Sequence, residues 1–462
     1  MSRFEIKTLS VLTALSLAVL LAIGRFAPQL MPDTPGYLSI VGFPAMLGEP
    51  RTPLYGWLVA ALDLGRGRYI AVPAFQIATY IGAVWLLVAQ LRRYGLSAAA
   101  SLSVGAALLF ANALLMDAGW VHPELLSIAC ALTAFAGTLR LIEDKPPRWP
   151  WLAVLAGAAC AYVLRPSFLP LIAVLPAFYL MLRLIRGEAP RAARTAAIAL
   201  VTATPFLGIA TLRGAVVGDP NIVSFGGFAM SGMAALMLSD DVVARLPEDV
   251  KPFAARVLAT RTAGEESGRF IGIPRNASNV RSFPSAALAY FDVLVRTYDN
   301  MVFEIISSMR EPNESWVDFN RRLMRFSLAV VRAAPDRYGA WVVGGAARTV
   351  GRAFATNLPA ALAIVLIATL WPWRLFTQGR TGVASVGRMD VPVMAVLGVL
   401  WFIGAGILTM LVIAPTTRYI ETASVLVAPL FVYWAALLMP EYWAALLMLG
   451  PPTAPAVIAA RP

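Results

Sequence analysis

The sequence predicts an all-α polytopic membrane protein with about ten transmembrane helices. Three observations predict it. The 462 residues are 59% hydrophobic and only 14% charged, with a mean hydropathy of +0.71, whereas soluble domains carry roughly 25% charged residues. Apolar runs of about 18 or more residues recur along the chain, which is the length a helix needs to cross a bilayer. These runs do not alternate apolar with polar residues, so the strand pattern of a membrane β-barrel is excluded.

Taken in order, span one covers roughly 8–25. The same stretch also fits the pattern of a cleaved signal peptide, and residues after 26 emerge on the same side in both cases. Residues 26–69 form a loop with its own amphipathic helix near 52–63. Spans two and three lie at about 70–91 and 97–116, and "DAGWVHP" (117–123) leads into span four at 124–142. Residues 151–182 hold two short apolar pieces broken at "RPS", and span seven covers about 195–213. These make an N-terminal membrane module, 1–213. Residues 214–354 carry most of the charge and form a mainly helical extracytoplasmic segment before span eight. Within it, 285–309 and 315–334 place apolar residues at three- and four-residue spacing, the pattern of helices that pack together on the membrane surface. The Gly- and Met-rich stretch 224–238 reads either as an ordinary turn and apolar helix or as a mobile cover over substrate. Spans eight, nine and ten, at about 355–372, 391–413 and 422–440, form a C-terminal module, 355–440, followed by a cytoplasmic tail, 441–462. No internal repeat is visible, so the inverted-repeat signature of many transporters is missing.

The net charge is +12. Nucleic acid is not the implied partner, because the basic residues collect in short loops of one side. With the N-terminus in the cytoplasm, the inner loops hold Arg92, Arg93, Arg140, Lys145, Arg148, Arg183, Arg186, Arg191 and Arg194, while "DAGWVHP" outside holds no Lys or Arg. That is the positive-inside rule, and a long domain such as 214–354 translocates largely regardless of its charge. Of 38 basic residues, all but Lys7, Lys145 and Lys251 are Arg, a composition that points to a GC-rich bacterial genome and so to a bacterial inner membrane. Cys130 and Cys160 both lie inside apolar runs, which reads as small buried hydrophobes rather than a disulfide framework.

With that topology, the unusual polar residues fall at the outer face: Asp33 after span one; Asp117, His122 and Glu124 between spans three and four; Arg165 at the "RPS" break; Arg418, Tyr419 and Glu421 after span nine. Arg165 is the most informative. The apolar piece 151–164 before it makes about 21 Å of helix at 1.5 Å per residue, short of a hydrocarbon core about 30 Å thick. Pro166 fits a break there. A charge at that depth points to an aqueous cavity or an anionic partner, and an arginine's planar, always-charged fork suits a phosphate. Asp33, Glu124 and Asp117 are candidates for a base or for holding a divalent cation. His122, the only histidine in the chain, reads as a hydrogen-bonding residue or as a metal ligand. No Gly-x-Ser-x-Gly, Walker loop, His-Glu-x-x-His or Cys-x-x-Cys pattern is present.

As an ordered set, several motifs resemble the GT-C superfamily of integral-membrane glycosyltransferases, which use polyprenyl-phosphate-linked sugars; protein O-mannosyltransferases and lipid A aminoarabinose transferases are examples. The motifs are "PDTPGYL" in the first outer loop, the helix "RTPLYGWLVAALD" in the same loop, "HPELL" opening span four, "RPSFLPL" at the broken hairpin, and "PTTRYIETASVLVAP" opening a late span. The resemblance implies a GT-C-like fold and an inverting transfer of a sugar to a lipid, glycan or protein hydroxyl at the periplasmic face. It implies Asp33 as the catalytic base and Arg165, Arg418 and Tyr419 around the lipid phosphate. Asp117, His122, Glu124, Tyr37, Arg51 and Tyr55 would line the substrate pocket. Two departures stand beside it. Many relatives pair two acids in the first loop, whereas Asp33 is followed by Thr34, so the use of Mg or Mn beside Asp33 stays open. The extramembrane portion is inserted before span eight rather than appended after the last span. The competing class is a flippase or transporter of a lipid-linked sugar or other anionic lipid. It needs functional polar residues near the midplane and on both faces, whereas these cluster on one face.

Overall fold

A computed structural model describes residues 1–39, 42–64, 67–268, 295, 298–377, 387–413 and 417–438. The described residues are helical throughout apart from turns and one isolated bridge between Gln29 and Trp120. The N-terminal module comprises α1 (Arg3–Ala22), α2 (Thr34–Leu38), α3 (Leu54–Asp63), α4 (Ala71–Tyr94), α5 (Ala98–Leu109), α6 (Asn112–Asp117), α7 (Glu124–Arg140), α8 (Trp149–Leu164), α9 (Leu171–Ile185) and α10 (Ala192–Val217). Then follow α11 (Gly226–Met237), α12 (Asp240–Ala244), α13 (Lys251–Glu266), α14 (Trp316–Ala333) and α15 (Pro335–Ala355). The chain closes with α16 (Leu358–Thr377), α17 (Asp390–Val412), α18 (Thr417–Ser424) and α19 (Ala428–Leu437).

Local chemistry sets several of these ends. Ser2 and Glu5 form a reciprocal capping box that opens α1, with Glu5 N donating to Ser2 Oγ at 3.2 Å and Ser2 N to Glu5 Oε2 at 2.7 Å. Ser97 caps α5 by its side chain alone, its hydroxyl accepting from Ala100 N at 3.1 Å. The break between α8 and α9 falls on Arg165, which is extended, and on a single 3₁₀ turn, Pro166–Phe168.

The protein is a multi-pass membrane protein, but the span count departs from the expected ten. Six helices among the described residues are long and apolar enough to cross a bilayer, or seven if α15 and α16, bent by 72° at their junction, count as one broken span. The difference arises from breaks and from short helices, since α7 has only 17 residues. The apolar run at 422–440 divides into α18 and the ten-residue α19, and α8 has 16 residues, about 24 Å of helix. An apolar run in sequence carries no sign of where tertiary contacts interrupt it.

The centre of the bundle is the α4, α7, α8 and α9 group, closed by Trp401 of α17, whose ring lies 5.8 Å from both Phe135 and Phe168. Helices α7 and α8 approach closely because Gly157 has no side chain: a Cβ there would lie 2.6 Å from the Cys130 carbonyl oxygen. The segment 226–355 has its own core, built from α11, α13, α14 and the π-helical turn Met301–Ile306. The stretch 224–238 is therefore the buried central helix of that core, and not a cover: every residue from Gly227 to Met237 is buried. Arg261 donates to the carbonyls of Ala235 (2.6 Å) and Leu238 (2.9 Å), and Arg337 to that of Met237 (2.8 Å), placing positive charge at the negative end of the α11 dipole. The helix expected over 315–334 is α14; most of that expected over 285–309 lies outside the described residues.

Candidate active site

The first loop is sewn to the 117–123 loop by backbone pairing. Gln29 N donates to Gly119 O at 2.7 Å and Val121 N donates back to Gln29 O at 2.9 Å. The buried Thr34 hydroxyl accepts from Met31 N (2.8 Å) and lies 3.0 Å from Val121 O, to which it donates. Asp33, immediately before α2, is thereby held beside the strand that leads to His122. A third stitch, Thr52 Oγ1 to Val163 O at 2.6 Å, ties the start of α3 to the end of α8.

Asp33 is engaged by Arg51. The guanidinium donates from Nη1 to the Asp33 carbonyl at 2.8 Å, sits 3.2 Å from Asp33 Oδ1 through Nη2, and lies 4.0 Å over the Tyr37 ring. Gly36 makes room for it, since a Cβ there would lie 3.3 Å from the guanidinium carbon. The Tyr37 ring meets Tyr55 edge-on at 5.9 Å. Tyr55 donates to Gln76 Oε1 at 3.2 Å, and Gln76 Nε2 donates to Trp120 O at 3.0 Å. Burial, with the charge of Glu124 adding to it, pushes the Tyr55 phenol up, so Tyr55 acts as a donor.

Below this lies a cluster of buried charge. His122 and Glu124 are each 1% exposed, Arg165 is 6% exposed and Asp117 is fully buried. Glu124 Oε1 pairs with Arg165 Nη1, and Glu124 Oε2 lies 2.5 Å from His122 Nδ1. Helix direction explains why the pair forms here. Glu124 is the first residue of α7 and Arg165 follows the last residue of α8. The two helices are antiparallel neighbours, so a carboxylate at one helix N-terminus meets a cation at the other's C-terminus, and both dipoles favour the arrangement. Arg165 is oriented by Nε donating to Ser167 Oγ at 3.1 Å and by the Tyr419 ring, whose centroid is 4.8 Å from the guanidinium carbon. On the far side of His122, Nε2 is buried with no hydrogen-bond partner among the described residues, and Trp120 packs on the ring at 5.2 Å.

Of the residues expected from sequence, Asp33, Tyr37, Arg51 and Tyr55 make one chain of contacts and His122, Glu124, Arg165 and Tyr419 another. Both stand at the same end of the bundle and meet where Tyr55 senses Glu124. Asp117 is buried at the end of α6, five residues before His122. Arg418 precedes Tyr419 in α18, and its side chain lies outside the described residues. Among the described residues no three His, Cys, Asp or Glu gather as a metal site; Asp33 is matched by a guanidinium, which does not fit a divalent-cation site.

Sequence reasoning missed Gln76, Trp120 and Gln29. Gln76 had a signal: a polar residue inside an apolar span, here fully buried. It also missed Arg213. This buried arginine of α10 holds the Leu47 carbonyl, Asp219 Oδ2 (3.2 Å) and Ser224 Oγ (2.6 Å), and so anchors the far part of the first loop. Glu421 of α18 is 9% exposed, and burial pushes its carboxyl up to about 7. No protein-family model matches the chain, and no curated protein or solved structure matches it either.

Proposed function

We propose that this chain is a membrane glycosyltransferase that moves a sugar from a polyprenyl phosphate to a hydroxyl acceptor at the outer face of a bacterial inner membrane. The observation that carries the reading is the cluster of Arg165, Glu124 and His122, buried where the α8–α9 hairpin breaks and adjoining the first loop that carries Asp33. Buried ion pairs are poor devices for stability, because well-packed apolar residues often do as well or better. Their position at the lipid boundary suits an anionic headgroup whose tail stays in the bilayer.

In the proposed reaction Arg165 receives the donor phosphate, with Glu124 and Tyr419 holding the guanidinium in place. The acceptor oxygen attacks the anomeric carbon as its proton passes to Asp33. The bond from that carbon to the phosphate oxygen breaks, the anomeric centre inverts, and the electron pair leaves with the phosphate, where Arg165 stabilises the growing charge. Arg51 keeps the Asp33 carboxylate oriented. His122 Nε2 and the Tyr55 and Trp120 rings supply polar and aromatic surface suited to a sugar ring.

The test is incubation of the purified protein, in vesicles, with radiolabelled polyprenyl-phosphate sugars and membrane extract. Label appearing in lipid, glycan or protein supports transfer. Label that only crosses the vesicle bilayer, still on its carrier, replaces this function with that of a flippase.

A further inference from the structure

The chain contains two cysteines in 462 residues. They lie on neighbouring helices, Cys130 on α7 and Cys160 on α8, near enough that each thiol perturbs the other. Packing asks only for small apolar side chains at these positions; it does not ask that the chain's two thiols meet. Both are free and half-buried. The helices approach closely at this level, because Gly157, one turn before Cys160, admits the Cys130 carbonyl. A disulfide needs Cα atoms roughly 4.4–6.8 Å apart, a separation that two helices packed as closely as these can supply. The pair is also close to the site. Cys130 follows Glu124 by six residues and Cys160 precedes Arg165 by five, so both lie about 7–9 Å along their helices from the ion pair, at 1.5 Å per residue. Both border the cluster of Tyr55, Leu126 and Leu164 beneath α3.

We propose that Cys130 and Cys160 are a redox-sensitive pair that crosslinks α7 to α8, formed by thiol–disulfide exchange with a disulfide-bearing oxidant at the first-loop end. One cysteine, as its thiolate, attacks a sulfur of the oxidant and releases the first oxidant thiol. The second cysteine displaces the other, so the pair loses two protons and two electrons and the oxidant becomes two thiols. The crosslink ties together the helix ends that present Glu124 and Arg165, and it stands whether or not the chain transfers sugars.

The experiment exposes the full-length protein in membranes to oxidised glutathione, denatures it, and measures its intact mass with maleimide labelling before and after dithiothreitol. The expected product is a monomer lighter by two hydrogens that takes no maleimide until reduced and then takes two. Cys130→Ser and Cys160→Ser, which fold with one thiol each, should show no such loss of two hydrogens. Wild-type protein that keeps two labelled thiols, gains stable glutathione adducts, or forms a disulfide-linked dimer overturns the proposal.

Discussion

The two ends of the helical bundle differ in how much of their charge they keep in exposed loops. At the arginine-rich end, several ion pairs face outward: Arg191 with Asp144 is 40% and 75% exposed, and Arg93 with Glu143 is 62% and 38% exposed at 3.3 Å, although Glu5, paired with Arg92, is buried there too. Such pairs are worth about 0–1 kcal/mol. Arg194 there donates to the carbonyls of Leu141 (2.8 Å) and Glu143 (2.6 Å), closing the end of α7. At the first-loop end, Glu124, His122, Arg165 and Asp117 are almost wholly removed from solvent. One end carries much of its charge in exposed loops. The other retains charge where apolar residues would often stabilise the fold as well, and that cost is why the proposed function is built on it. Burial alone does not imply a function, since Arg213 and Asp219 are also buried and tie loops together. What sets the first-loop end apart is that charges from separate segments gather on one edge of an imidazole, at Nδ1, whose other nitrogen, Nε2, has no hydrogen-bond partner among the described residues.

The largest expected effect tests the chemistry assigned to that end. Asp33→Asn should lower sugar transfer by about 10²–10⁴-fold, the usual weight of a general base, with protein level and membrane insertion unchanged; near-normal turnover removes Asp33 from the reaction. Next comes Arg165→Ala, which leaves Glu124 buried without its main cation and should cost about 3–5 kcal/mol of stability, read as a fall in the thermal unfolding temperature in detergent. The double variant Glu124→Gln with Arg165→Met removes both charges and should be more stable than Arg165→Ala alone. If the single and double variants melt together, the pair is not energetically coupled. The counterpart at the other end, Arg191→Ala, should change stability by less than about 1 kcal/mol; a loss as large as that of Arg165→Ala would erase the contrast.

Two smaller effects sharpen it. Glu421 has a folded pKa raised from 4.5 to about 7 by burial. The folded state therefore binds the proton more tightly than the unfolded chain does. Stability from this group is full below about pH 4.5, falls as pH rises toward 7, and is flat above that. Melting curves of the wild type should show that decline between pH 5 and 7, and Glu421→Gln should lessen it. Finally, because Asp33 is matched by Arg51, a chelator should change transfer by less than about twofold; abolition by EDTA with rescue by Mg or Mn would mean that a cation displaces Arg51 from the carboxylate.

Much of the architecture was legible in the sequence because it depends on local composition. The first-loop helix expected near 52–63 is α3, Leu54–Asp63, and the break expected at "RPS" falls on Arg165 and the 3₁₀ turn after it. Apolar runs, proline and capping residues act over a few positions and can be read in order. The span count was not legible in the same way, since the run at 422–440 is uniformly apolar yet divides at residues 425–427 between α18 and α19.

By itself, then, the sequence determined that this is a helical membrane protein, roughly where its long apolar helices lie, and that acids, a lone histidine and Arg165 interrupt apolar segments. Only the tertiary structure decided who meets whom. Asp33 takes Arg51 across 18 residues, Glu124 takes Arg165 across 41, and Gln76 reaches Trp120 across 44. Such pairings follow from which helix ends the packing brings side by side, and glycines such as Gly157 set how near they come. A hydropathy pattern of period 3.6 says which face of a helix is apolar; it does not say which neighbour covers it.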